Sequence, residues 1–287
     1  MKRRSEQESA KPRILVVAGS DSGGGAGIQA DIKTITMLGG FAMTAVTALT
    51  AQNTLGVEEV LPIEPRFVAS QMRAVLSDLG ADAIKTGMLG SRRVVEVVAE
   101  QCESVAFGIP LVVDPVMVAK GGARLLDQGA LDALVLRLLP LASLLTPNVP
   151  EAELLTGMTI KTPHDLERAA DALLALGPSA VLMKGGHLEG DTVVDLLRTA
   201  DGAQHRFEGP RIVSRSTHGT GCTLASAIAT GIAEGLTLQG AVERARAYVV
   251  QAIRLAPGLG RGHGPLEFAH PLLPTAVAEA ATPRSLH

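Results

Sequence analysis

Tryptophan is absent, and aromatic side chains make up only 2% of the 287 residues, one tyrosine and five phenylalanines. A chain so poor in flat rings offers no stacking platform for single-stranded nucleic acid. Neither sign of charge dominates. The formal net charge is −3, with no extended basic patch or acidic tail, so electrostatic capture of nucleic acid or of a membrane surface is not implied. Cysteine is scarce: Cys102 and Cys222 stand far apart and without metal-ligand spacing. That argues against a disulfide framework and fits a reducing cytoplasm. Long apolar runs are missing too. The stretches Leu111 to Ala119 and Leu131 to Leu145 are broken by Asp114, Pro115, Arg137 and Pro140, so no membrane span is expected. After Met1-Lys2-Arg3-Arg4, the run Ile14 to Ala18 is too short for a signal-peptide core.

What is present is ordinary globular material, 46% apolar, in a chain long enough for one large α/β unit. Short β-branched runs alternate with amphipathic stretches. Strands are expected at 13–18, 43–50, 57–63, 83–85, 111–113, 143–145, 180–183 and 192–196. Helical stripes appear at Ile28, Ile32, Ile35 and Leu38, at Val68, Met72, Val75, Leu76 and Leu79, and at Leu238, Ala241, Val242, Ala245, Val249 and Ala252. Thr162-Pro163 opens another helix, running to about Leu176. Alternation of this kind predicts a mostly parallel sheet with helices on both faces, an α/β/α sandwich. No repeat or linker divides it, so a single domain over 12–273 is expected, with loose tails at 1–11 and 274–287.

Four segments carry candidate chemistry, each at the C-terminal end of an expected strand, where such sheets bind ligands. Gly19-Ser-Asp-Ser-Gly-Gly-Gly-Ala-Gly27 is either a tight turn or a cradle that lets backbone approach a ligand. It lacks the Gly-Lys-Ser/Thr of a P-loop and is no clean dinucleotide fingerprint. In Thr146-Pro-Asn-Val-Pro-Glu151, Asn148 and Glu151 have the spacing of a capping box. The same oxygens also suit magnesium or its waters beside phosphates. Lys184-Gly185-Gly186-His187 is an exposed loop lysine or a phosphate contact. Ser216-Thr-His-Gly-Thr-Gly-Cys-Thr223 opens a helix of small residues through Ala233. Its free N–H groups and helix dipole suit charge developing in phosphoryl transfer. Cys222 at such a start is either a small buried residue or a thiol whose pKa is lowered.

The order of these segments resembles the hydroxymethylpyrimidine/phosphomethylpyrimidine kinases of thiamine biosynthesis, within the ribokinase-like superfamily. The resemblance is carried by Ala18 to Thr34, Thr47-Ala-Leu-Thr-Ala-Gln-Asn-Thr54, Lys85-Thr-Gly-Met-Leu-Gly90, Val113-Asp-Pro-Val-Met117, Leu182-Met-Lys-Gly-Gly-His187 and Thr217-His-Gly-Thr-Gly-Cys-Thr223. It spans roughly Ile14 to Phe268. It implies ATP and Mg2+ as cofactors, a small pyrimidine acceptor and a homodimer. It also implies two successive phosphorylations of the hydroxymethylpyrimidine. Gln52, Gly19, Met88 and Asp31 then belong to the acceptor pocket. Asp114, Asn148 and Glu151 hold magnesium, largely through water, and Lys184 contacts phosphate. Gly219, Thr220, Gly221 and Cys222 form the anion hole, with cysteine where related sugar and nucleoside kinases carry aspartate. The rival readings are a pyridoxal kinase, a non-catalytic pyrimidine-binding regulator and a structural domain with incidental glycine turns.

Overall fold

The computed structural model describes residues 11–117, 126 and 128–273. Apart from Lys11, the two expected tails lie outside the described residues. In chain order the elements are β1 (Arg13–Asp21), α1 (Gly27–Met37), β2 (Phe41–Asn53), β3 (Gly56–Pro62), α2 (Pro65–Asp78), β4 (Ala83–Thr86), α3 (Arg92–Ser104), β5 (Leu111–Val113), α4 (Gln128–Ala133), β6 (Leu144–Leu145), α5 (Val149–Thr156), α6 (Pro163–Leu174), β7 (Ala180–Met183), β8 (Thr192–Thr199), β9 (Gln204–Pro210), α7 (Thr220–Ala233) and α8 (Leu238–Arg254).

The strands form one nine-stranded sheet in the order β3-β2-β1-β4-β5-β6-β7-β8-β9. Pairing is parallel from β2 across to β7, and antiparallel at β3, β8 and β9. Central strands buried on both faces need apolar side chains on both, which is why β1 reads as a nearly unbroken run. Leu15 and Val17 face the core beneath α2 to α6, whereas Ile14, Val16 and Ala18 face the core beneath α1, α7 and α8. The architecture is the expected three-layer α/β/α sandwich. Small residues on α7 let it lie close to the sheet and to α8: a Cβ on Gly231 would meet that of Ala241 at 2.8 Å.

Besides an unexpected α4 and longer β1 and β8, the structure corrects the expected elements at three further places. β2 runs from Phe41 to Asn53, past the expected Thr50, and with β3 makes a long hairpin at the sheet edge. β9 was not expected, because a solvated edge strand of sequence Gln-His-Arg-Phe-Glu-Gly-Pro has no apolar run. α3 was not expected either, although Ser91 caps it by accepting from the Val94 N–H.

Candidate active site

The parallel strands deliver their C-terminal ends to one cleft of about 870 Å³, mouth included. β1 brings Gly19 to Asp21, β2 brings Gln52, and β4 leads into Gly87 and Met88. β5 is followed by Asp114, β6 by Asn148 and β7 by Lys184. The turn before α7 supplies Gly219 to Cys222. All of these line the same cleft, so the sequence-predicted residues Gly19, Gln52, Met88, Asp114, Asn148, Glu151, Lys184, Gly219, Thr220, Gly221 and Cys222 converge.

Asp31 does not converge with them. It is fully buried on α1. Both its oxygens accept from the Lys85 ammonium, at 2.9 and 3.0 Å, and one also accepts from the Ser226 hydroxyl at 2.7 Å. It therefore has no free edge for a ligand, and its expected place in the acceptor pocket is withdrawn. Strand alternation on β4 turns Lys85 to the same side as Ala83, toward α1 and α7, where Asp31 and Ser226 wait. Burial works against the Lys85 ammonium, but Asp31, Cys222 and Asp114 together outweigh it and raise its pKa.

The glycines hold the backbone where side chains would collide. Gly219 has φ +80, and a Cβ there would lie 1.8 Å from the Gly25 carbonyl oxygen. Only glycine fits that close approach between the two glycine turns. A Cβ on Gly19 would come 2.4 Å from the Met88 methyl, so Met88 rests on bare backbone.

On the opposite wall, Asn148 caps α5 by accepting from the Glu151 N–H at 2.9 Å, and Glu151 accepts in return from the Asn148 N–H at 2.8 Å. The capping box read from the sequence is therefore real, and it also fixes a carboxylate at the cleft. The Lys184 N–H donates to the Pro147 carbonyl oxygen, which sets Lys184 beside Asn148. Its ammonium donates to Asp114 at 3.1 Å and lies 3.9 Å from Glu151. Burial pushes the Glu151 carboxyl up to about 7; Lys184 opposes this and Asp114 adds to it. Burial also disfavours the Lys184 charge, yet Asp114 and Glu151 together keep its pKa above the ordinary lysine value.

The expectation of an acidified thiol fails. Burial pushes Cys222 up to about 11, with Lys85 pulling the other way and Asp31 and Asp114 adding to the rise. The thiol is neutral at physiological pH.

Two residues of the cleft escaped the sequence reading, Asp21 and His218. Asp21 accepts from the N–H groups of Gly23, Gly25 and Ala26 at 2.8 to 3.1 Å, and His218 Nε2 lies 2.8 Å from its second oxygen. Burial alone would raise the Asp21 pKa, but His218 and the backbone donors bring it below the ordinary carboxylate value. Both residues sit in motifs already singled out, yet 197 positions separate them, and no local spacing shows their pairing.

A mostly parallel sheet with glycine-rich turns, a lysine and two carboxylates around one cleft defines a small-molecule kinase of the ribokinase-like class. Residues 21–267 match the family model for phosphomethylpyrimidine kinase, and the chain belongs to that family. It is 55% identical over 254 residues to the thiamine biosynthesis bifunctional protein ThiED of Geobacter sulfurreducens, covering 88% of this chain and 51% of that protein. The chain thus spans about half the length of that relative. It is 50% identical over 256 residues to the hydroxymethylpyrimidine/phosphomethylpyrimidine kinase of Streptomyces coelicolor, covering 89% of this chain and 94% of that one. A crystal structure of Bacillus subtilis pyridoxal kinase with ADP superposes with a TM-score of 0.85 at 34% identity, over 92% of this chain and all of that one.

Proposed function

We propose that this protein transfers the γ-phosphoryl group of ATP to 4-amino-5-hydroxymethyl-2-methylpyrimidine and then to the resulting monophosphate, in thiamine diphosphate biosynthesis. The observation that carries the proposal is the convergence of Gln52, Lys184 and the turn at Gly219–Cys222 on a single cleft. Gln52 reads the aminopyrimidine, since a carboxamide can pair with a ring nitrogen and its neighbouring amino group. Gly19 and the Met88 thioether resting on it form one wall of the pocket, against which the ring packs.

Asp114 and Glu151 fit magnesium. They are two buried carboxylates on one wall of the cleft, with Asn148 beside them, and this set suits an ion that keeps several waters and shares the substrate phosphates. Among the described residues no cluster of three or more acidic, histidine or cysteine side chains forms a closed cage. Glu151, raised to about 7, is a carboxyl that a cation would ionise. When bound, magnesium supplies neutralisation of phosphate charge.

Lys184 holds the transferring phosphoryl group, and the N–H groups from Gly219 to Cys222 face the charge that develops on it. The loose transition state asks mainly for positioning. Cys222, as a neutral thiol, holds the acceptor oxygen by hydrogen bond rather than removing its proton; in the first transfer the hydroxyl proton passes late, as the O–P bond forms, to an oxygen of the transferred phosphoryl group and from there to solvent. In the second transfer the acceptor is already anionic and needs no base.

Exposed apolar side chains at the hairpin edge and on α2, namely Leu49, Val60, Leu61 and Phe67, support a homodimer paired through that face. No described helix is long and apolar enough to cross a membrane. Two free thiols suit the reducing cytoplasm as the place of work.

A coupled ADP-release assay with hydroxymethylpyrimidine, its monophosphate and pyridoxal in parallel tests the assignment. Both pyrimidines should exceed pyridoxal in kcat/KM. A preference for pyridoxal would transfer the chain to that rival activity, and no ADP release with any acceptor would leave the regulator and the structural domain.

A further inference from the structure

The direction in which Lys184 leaves the backbone is set by the two peptide planes on either side of it. The plane before it is pinned by the Lys184 N–H, which donates to the Pro147 carbonyl oxygen at 2.9 Å. The plane after it is held by a side chain. The antiparallel ladder between β7 and β8 ends at the pair Met183–Leu196, and the Gly185 N–H then donates to Oδ1 of Asp195, on β8, at 2.9 Å. A Cβ on Gly185 would lie 1.9 Å from the Val194 carbonyl oxygen, so only glycine lets the turn pass close enough to β8 for the next residue, Asp195, to reach that N–H. With both planes pinned, Lys184 is kept at φ −86 and ψ 105.

Asp195 is buried and is held in its turn. Its Oδ2 accepts from Arg246 Nε, on α8, at 2.8 Å. The Arg246 guanidinium lies 5.6 Å from the centre of the Phe207 ring, and Phe207 pairs with Asp195 across β8 and β9. The carboxylate thus has a charge-assisted hydrogen bond at each oxygen and cannot turn without breaking one. Beyond Gly185 the loop has a separate holder, Arg211, which donates to the carbonyl oxygens of Gly186, Leu188 and Gly190. The Lys184–Gly185 peptide is the part that depends on Asp195.

We infer that Asp195, braced by Arg246, is a positioning residue for phosphoryl transfer: it holds the Lys184–Gly185 peptide so that the Lys184 ammonium meets the phosphate. This deepens the functional proposal and rests on it for the phosphate contact of Lys184. Neither Asp195 nor Arg246 lines the cleft, so their effect on turnover passes through Lys184.

A double-mutant cycle with Lys184→Met tests this, because changes that act through one residue do not add. Asp195→Ala should lower kcat about tenfold, within the ~10²-fold that a 1 Å misplacement can cost, and leave the acceptor KM near the wild-type value. In the Lys184→Met background the same change should cost less than about twofold. If Asp195→Ala costs as much without Lys184 as with it, Asp195 only steadies the sheet and the inference fails. Arg246 provides a second pair of variants should Asp195→Ala not fold. Glutamine carries an N–H as many bonds from the backbone as Arg246 Nε, whereas methionine carries a methyl there. Arg246→Met should lower kcat in the same Lys184-dependent way and Arg246→Gln should keep most of it; equal losses in the two would overturn the inference. The readout is ADP release, so the cycle can be run on pyridoxal if that is the acceptor used, an outcome that would remove the pyrimidine assignment instead. If no acceptor is turned over, calorimetric binding of the β,γ-imido analogue of ATP with magnesium gives the same cycle. Asp195→Ala should then weaken binding when Lys184 is present and leave it unchanged in the Lys184→Met background, and equal weakening in both would again overturn the inference.

Discussion

Lys184 carries its charge where burial disfavours it, because Asp114 and Glu151 face it from the same wall. Once phosphate enters, that ammonium has a second set of partners. Lys184→Met should therefore lower kcat by ~10²–10³, the usual cost of removing one preorganised stabiliser, with the acceptor KM little changed in steady-state assays. Glu151 makes the site sensitive to pH. Its carboxyl, at about 7 in the free protein, must lose a proton to serve a cation, so kcat/KM for MgATP should rise with pH and level off above about 7. Linkage gives the companion sign. The protonated carboxyl favours the folded apo protein most below its ordinary value of 4.5, and that contribution is lost as pH rises through about 7. Glu151→Gln should flatten both profiles, in kinetics and in thermal melts. In the proposed two-step reading, the absence of a fixed negative charge at Cys222 favours the anionic acceptor of the second step. Cys222→Asp should depress transfer to the monophosphate about 10²-fold more than transfer to the alcohol, given like charges at close range in a partly buried site. Equal losses in the two assays would refute that electrostatic role.

Among the elements, α5 shows how a structural device doubles as a functional one. Its capping box places Glu151 at the cleft while satisfying the first-turn N–H groups. Asn148→Ala should cost about 1 kcal/mol in denaturant unfolding and also weaken magnesium-dependent turnover, because Glu151 loses its brace. That double character was legible in the sequence, since cap and carboxylate lie three residues apart. The parallel strands were legible too, because burial on both faces leaves an unbroken apolar run such as Ile14 to Ala18. β9 was not, because one open face and an edge position erase the run. Within the site, residues inside short glycine-framed motifs could be read from spacing and family resemblance. The ties between motifs could not. Asp31 with Lys85 and Asp21 with His218 are contacts made by the fold, and the first moves a residue expected to touch substrate into the core beneath it. The Cys222 thiol was misread for a related reason: a helix start suggested a lowered pKa, but burial sets the opposite direction, with Asp31 and Asp114 adding to it and Lys85 of β4 pulling against it.

At the scale of the whole molecule, one sheet collects the ends of six parallel strands and gives each a different task. In the proposed reading, acceptor recognition lies on the β1–β2 side, phosphate and metal handling on the β5–β7 side, and the α7 turn between them. The proposal has both steps use one cleft, with the monophosphate rebinding where the alcohol was. Phosphorus NMR of a mixture of hydroxymethylpyrimidine, excess MgATP and this protein tests that claim most directly. The account predicts a monophosphate resonance that rises and then gives way to a diphosphate, with two ADP formed for each pyrimidine consumed. Accumulation of ADP with inorganic phosphate alone, or a monophosphate that never advances, would contradict it.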